Sequence, residues 1–195
     1  MVKNIKESVT NMRIISGKAR GTKLYTLEGL ETRPTLDRVK ESIFNIIQNE
    51  IEDSTVLDLF AGSGAIGLEM LSRGAKKAVL CDKSKDAIEI IKKNIEKTHM
   101  KESVEVYNLD YKECIKKIQN QKFDLIYIDP PYNTNFISQA LKEIVELDIT
   151  KKESIVILET DDEIRILREI ENINIEVIDK RKYGRATVIF LKRPN

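Results

Sequence analysis

Histidine and cysteine are nearly absent from these 195 residues: His99 stands alone, and Cys81 and Cys114 are the only thiols. Zinc catalysis needs a cluster of such ligands, and a Ser-His-Asp triad would have to be built around His99, so the composition argues against both and against a metal centre. The two cysteines sit in unlike contexts without CxxC spacing, which predicts reduced thiols in a cytoplasmic protein. Long apolar runs are also missing. The longest are strand-sized, such as Ile155 to Leu158, against the roughly 20 residues a membrane span needs. The opening Met1-Val-Lys-Asn-Ile-Lys-Glu7 has neither an apolar stretch nor a small-residue cleavage site, so neither a secretory signal nor a membrane partner is expected.

Net charge is the last absence, with 33 Lys+Arg against 32 Asp+Glu. The total conceals a division. Residues 1–23 carry a balance of +5 and residues 180–195 one of +6, leaving −10 on the body between them. An acidic body with two basic ends suggests separate partners for each. At about 22 kDa the chain suits one domain with a sizeable core.

From residue 55 onward, β-branched apolar runs alternate with amphipathic stretches, as repeated βα units do. Strands are expected at 55–59, 78–82, 104–108, 123–129, 154–159, 173–181 and 186–192, with helices near 65–73, 84–98, 111–120, 135–147 and 161–171. Only Lys182-Tyr-Gly-Arg185 separates the last two strands, too short for a crossover, so the final strand should run antiparallel. The fold class is therefore α/β, a Rossmann-like doubly wound sheet. Upstream, residues 12–16 and 23–27 flank Gly17-Lys-Ala-Arg-Gly21 and predict a small basic β-hairpin appended to the domain. Pro34 then opens an amphipathic helix to about residue 48.

The segment Asp58-Leu-Phe60-Ala61-Gly62-Ser-Gly64-Ala-Ile-Gly67 leads from a buried strand through a glycine-rich turn into a helix. Gly62 and Gly64 allow close approach of a ligand, and Gly67 lets helix pack on strand. Twenty residues after Gly62, Asp82 ends the next strand, followed by Lys83. A carboxylate there accepts ribose hydroxyls and repels a 2′-phosphate, although a tight turn beside a surface Asp has the same pattern. Asp58 lies within the apolar strand, where a buried carboxylate needs partners. An ammonium group suits it better than a pyrophosphate, which favours S-adenosylmethionine over a dinucleotide. Asp110, followed by Tyr111, is placed at the same sheet edge, as an acceptor for an adenine amine, a helix N-cap, or both.

Two of the four prolines stand together in Asp129-Pro130-Pro131-Tyr132 at the end of a buried strand. Pro-Pro stiffens the chain, so Asp129 and the Pro130 carbonyl become fixed acceptors for the two N–H groups of an exocyclic amine. Tyr132 offers a face for the base, worth about 1–3 kcal/mol. N-methylation of a planar amine follows. A duplex base would have to be flipped into such a pocket, and the basic ends could contribute phosphate contacts.

The motifs Arg13-Ile-Ile-Ser-Gly-Lys-Ala-Arg-Gly21, Arg33-Pro-Thr-Leu-Asp-Arg-Val-Lys-Glu41, Asp58 to Gly64, Asp129 to Tyr132 and Lys182-Tyr-Gly184 together resemble the RsmD family of 16S ribosomal RNA guanine-N2 methyltransferases. The resemblance implies a class I S-adenosylmethionine-dependent methyltransferase fold over 33–195 and a basic hairpin at 12–32; the extension at 1–11 departs from the family pattern, is expected to be disordered, and is assigned no role. It implies donor contacts from Asp58, Phe60, Ala61, Gly62, Gly64, Asp82, Lys83, Asp110, Tyr111 and Thr35. Substrate contacts are implied for Arg33 and Arg38. The basic ends add Arg13, Lys18, Arg20, Lys23, Arg181, Lys182, Tyr183 and Arg185 to the expected RNA surface, with small-subunit 16S rRNA as partner. Three rivals stand beside it. A DNA adenine-N6 methyltransferase shares the tetrad, but 195 residues leave no room for a sizeable target-recognition domain; an NAD-dependent oxidoreductase shares the glycine loop, but not Asp58 or the tetrad; a non-catalytic RNA-binding module would keep the fold alone.

Overall fold

The computed structural model describes residues 12–26, 34–132 and 134–194; the side chains of residues 34–38 and the extension 1–11 lie outside that description. Among these described residues seven strands form one sheet: β1 (Thr55–Asp58), β2 (Lys77–Cys81), β3 (Val104–Tyr107), β4 (Phe123–Ile128), β5 (Thr150–Thr160), β6 (Glu176–Tyr183) and β7 (Ala186–Lys192). Their order is β3-β2-β1-β4-β5-β7-β6, and β7 lies antiparallel between β5 and β6. Six helices cover it: α1 (Pro34–Ile46), α2 (Ala65–Ser72), α3 (Lys85–Thr98), α4 (Tyr111–Lys117), α5 (Phe136–Glu146) and α6 (Glu163–Ile170).

Burial on both faces explains the continuous apolar strands. Val56, Leu125, Tyr127 and Ile157 point into one core with α1, α2 and α3, while Leu57, Ile126, Ile128 and Leu158 point into the other with α4, α5 and α6. Strand order reverses between β1 and β4, so the crevice at their carboxyl ends is where a ligand is expected. Among the described residues no helix is long and apolar enough to cross a membrane.

Two strand starts differ from the sequence expectation for local reasons. β5 starts four residues early because Thr150 pairs with Phe123 across a register shift. β6 starts three residues late because Ile173 N–H closes a turn on Ile170 carbonyl. The N-terminal hairpin forms as a short one: Arg13 bridges Lys23 antiparallel, and the Ile14 and Leu24 N–H groups donate across it to the Thr22 and Met12 carbonyls at 3.0 and 2.9 Å.

Helix side chains hold the donors that this hairpin turns away from itself. Glu69 of α2, with no solvent exposure, accepts the Ile15 and Ser16 N–H groups at 2.7 and 3.0 Å and pairs with Arg73 at 2.8 Å. Ser72 and Asn94 take the N–H groups of Ala19 and Tyr25. The donors left over by the hairpin's own bonds are thus taken by helix side chains, and Ile14 and Leu24 join the core. Residues 12–26 are a strap bound to α2 and α3. Glu69→Leu is expected to strand these donors and destabilise the fold by about 3–5 kcal/mol; a denaturation midpoint equal to wild type would refute that role.

Candidate active site

A cavity of about 550 Å³ opens at the carboxyl ends of β1, β2, β4 and β5. The β1–α2 loop forms its floor. Gly62, at φ +54°, has no atom within 4 Å of where a Cβ would project, and its N–H donates to Asp82 Oδ2 at 2.8 Å. At Gly67 a Cβ would lie 2.2 Å from a Leu80 methyl, so only glycine lets α2 settle on β2.

Asp82 also accepts the Ser84 N–H on Oδ1 at 2.8 Å. One backbone bond per oxygen fixes the carboxylate's direction and leaves each oxygen a lone pair for a ribose hydroxyl. Beside it stand Phe60, Tyr111 and Phe136. Phe60 and Phe136 are nearly parallel, 6.3 Å apart at 4°, and Tyr111 tilts against both at 5.4 and 5.2 Å. Lys83 Nζ lies 5.9 Å from the Phe136 ring. Burial raises the Tyr111 hydroxyl to about 12, so it stays protonated and donates to Gln139 at 2.7 Å. Asp110 caps α4 through the Lys112 N–H at 3.0 Å while still lining the cavity. This end suits a nucleoside.

The other end is acidic. Asp58, Tyr127, Asp129 and Glu159 follow one face of the sheet, at the ends of three neighbouring strands. Asp58 is 3% exposed; burial, opposed by the Gly67 N–H at 3.3 Å and joined by Asp82, raises its carboxyl to about 7. Burial, then the charges of Glu159 and Asp58, hold Asp129 well above the usual carboxylate range, although it keeps partial contact with solvent. Glu159, 6% exposed, is raised by burial even though the Tyr127 hydroxyl donates to it at 2.9 Å. Among the described residues no group of three His, Cys, Asp or Glu is placed to hold a metal ion. Carboxylates in such a wall suit ammonium and N–H donors. At the rim, Pro130 is buried, Pro131 exposed, and Tyr132 is 53% exposed.

Comparison with known proteins fits this geometry. Residues 12–192 match the family described as conserved hypothetical protein 95. The chain is 40% identical over 152 residues to ribosomal RNA small subunit methyltransferase D of Haemophilus influenzae, covering 77% of this chain and 79% of that one. The chain belongs to the RsmD family. A putative rRNA methyltransferase of Bacillus subtilis, YlbH, is 33% identical over 184 residues, 93% of this chain and 99% of that protein. The structure of putative methyltransferase yhhF from Escherichia coli superposes with a TM-score of 0.79 at 28% identity, over 93% of this chain and 97% of that one. The fold is that of class I methyltransferases.

In this RsmD-family chain, Asp58, Phe60, Ala61, Gly62, Asp82, Lys83, Asp110, Tyr111 and Asp129 to Tyr132 all line the one cavity. Gly64 is held at φ +77° as the cap of α2. Arg33 lies outside the described residues; Thr35 and Arg38 fall in the first turns of α1, and their side chains lie outside the description as well.

The basic residues are more scattered. Arg13, Lys18, Arg20 and Lys23 are exposed, but the turn carrying Lys18 packs on Ser72, at the far end of α2 from the cavity. Eight helical residues separate those ends, about 11 Å. The β6–β7 turn stands at the cavity's own edge, since Thr187 pairs with Thr160. There Lys182 and Arg185 are exposed, Arg181 pairs with Asp179 at 2.9 Å, and the Tyr183 hydroxyl bonds Ser42 of α1.

Sequence reasoning does not single out Glu159, Phe136 or Tyr127, which the cavity wall includes. Glu159 has a signal, an acid on the inward alternation of Ile155 and Ile157. The cysteines, separate in sequence, meet behind the cavity, where a hydrogen bond with Cys114 and burial push the Cys81 thiol up.

Proposed function

We propose that this chain transfers the methyl group of S-adenosylmethionine to the exocyclic N2 amine of a guanine in small-subunit 16S rRNA. The observation that carries the reading is the Asp129-Pro-Pro-Tyr132 segment at the rim of a cavity whose other end suits a nucleoside. The names of the Haemophilus influenzae and Bacillus subtilis relatives support RNA as the substrate class.

The cavity fits the donor on its own chemistry: an aromatic wall with Asp82 for adenosine, and the buried Asp58, which a cationic partner would return to its ionised form. When bound, S-adenosylmethionine supplies a methyl on a sulfonium, the carbon–sulfur bond breaking as the N2–carbon bond forms. Asp129 and the Pro130 carbonyl hold the two N2–H groups, turning the nitrogen lone pair out of ring conjugation and toward the methyl. Asp129 then takes the proton that N2 must lose, a transfer suited to its raised proton affinity. Tyr132 stacks on the extruded base.

Labelled S-adenosylmethionine offered to naked 16S RNA, small subunits and DNA in parallel tests the assignment. N2-methylguanosine in RNA is expected, and label in DNA alone would overturn it. RNA affinity should fall with salt by a logarithmic slope of about 0.7–0.9 per phosphate contacted. Because the β6–β7 turn borders the cavity and the Lys18 turn does not, replacing Lys182 and Arg185 with Ala should flatten that slope more than replacing Lys18 and Arg20. Equal slopes for both double variants and wild type would return these residues to an ordinary solvated face.

A further inference from the structure

The proposed mechanism uses one of the two carboxylates that end β4 and β5. Asp129 and Glu159 each follow by one residue the registered pair Ile128 and Leu158, so they are neighbours across the ladder, on the same face, and both line the cavity. Glu159 is more than nine-tenths buried, an expensive place for an acid. Among the described residues its one hydrogen-bond donor is Tyr127, which reaches Oε2. Tyr127 is itself buried and fixes the carboxylate's orientation. No described cation pairs with Glu159, so the structure itself does not account for an acid at that position.

A guanine ring does account for it. Its N2–H and N1–H donors point the same way from adjacent ring positions, so acceptors side by side are needed to meet both. Adenine offers a donor beside a lone pair, and that lone pair would face a carboxylate oxygen. We propose that Glu159 reads the guanine N1–H and so determines base specificity, while Asp129 engages N2. This assignment rests on the guanine-N2 reading above and adds to it the reason that adenine is refused.

The test replaces the target guanosine, once mapped, with 2,6-diaminopurine riboside in reconstituted small subunits. That base keeps the N2 amine and has a lone pair at N1. Wild type is expected to methylate guanosine faster by about 100-fold or more, because a site built to accept a proton rejects an analogue lacking it. Glu159→Gln keeps the size of the side chain and an acceptor for Tyr127, and adds an N–H that can meet the N1 lone pair. It should lower the guanosine preference by about tenfold or more, with S-adenosylmethionine affinity and melting temperature maintained.

An unchanged preference in E159Q with donor binding intact overturns the assignment. So does a wild-type protein that methylates both bases equally, a result that needs no variant to fold. Failure of the parent reading looks different, since no N2-methylguanosine would then appear in the wild-type product at all.

Discussion

Asp129→Ala is expected to reduce methyl transfer by about 10³-fold or more while S-adenosylmethionine affinity changes by less than a few fold. The asymmetry comes from placement. Asp129 stands at the rim with Pro130, Pro131 and Tyr132, whereas the groups we assign to the donor's nucleoside and ammonium are Asp82, the Phe60–Tyr111–Phe136 cluster and Asp58. Removal leaves the target amine without its charged acceptor and without a destination for its proton. Folding is not at risk from the loss, because Asp129 is held at a raised pKa by burial and by two like charges, the signature of a group that costs stability when ionised. Asp129→Asn retains one carbonyl acceptor and should fall between Ala and wild type. Single-turnover transfer and calorimetric donor binding measure the two properties separately, and an equal loss of both in the Ala variant would show that Asp129 holds the donor instead.

The second large effect is opposite pH dependence of stability and donor affinity, both set by Asp58. Its carboxyl moves from 3.8 to about 7 on folding. A group whose folded pKa is raised contributes stability present below the unfolded value and lost as pH climbs through the folded one. The ligand-free protein should therefore lose stability between about pH 4 and pH 7, by on the order of 4 kcal/mol from this group. Asp129 and Glu159 are raised in the same direction and extend the loss. A donor ammonium reverses the balance by favouring the ionised form. Donor affinity should accordingly rise as pH increases toward 7, by up to about tenfold per unit, and level off above it. Asp58→Asn should flatten both curves. If melting temperatures of wild type and D58N run parallel from pH 5 to 8, Asp58 is not the titrating group.

Much of this site is legible in the sequence because its residues follow one another along the chain. The turn Asp58 to Gly67 and the tetrad Asp129 to Tyr132 combine local conformational demands, glycine at positive φ and proline without an N–H, with chemistry at the end of a strand. Asp82 and Asp110 are readable for the same reason: each ends a βα unit, and in a doubly wound sheet every such end reaches one edge. The alternation of strands and helices likewise determines the fold class and, through a connection too short for a crossover, the antiparallel final strand.

Placement across elements was decided only by the tertiary structure. The N-terminal hairpin is legible because its pattern is local, but only packing shows that Glu69, Ser72 and Asn94 take its remaining N–H groups and bind it to α2 and α3. The basic turn at Lys18 reads as part of one positive surface, yet packing on Ser72 carries it away from the cavity while β7 brings Lys182 and Arg185 to the cavity edge. Glu159 is a single acid in an apolar run until β5 pairs with β4 and sets it beside Asp129. The sequence by itself determined which chemistry each strand end carries and that the fold is doubly wound, since both depend on neighbours in the chain. Which strand ends share a wall, and how far their charges raise one another's pKa, depends on strand order and burial, which arise only when distant segments pack.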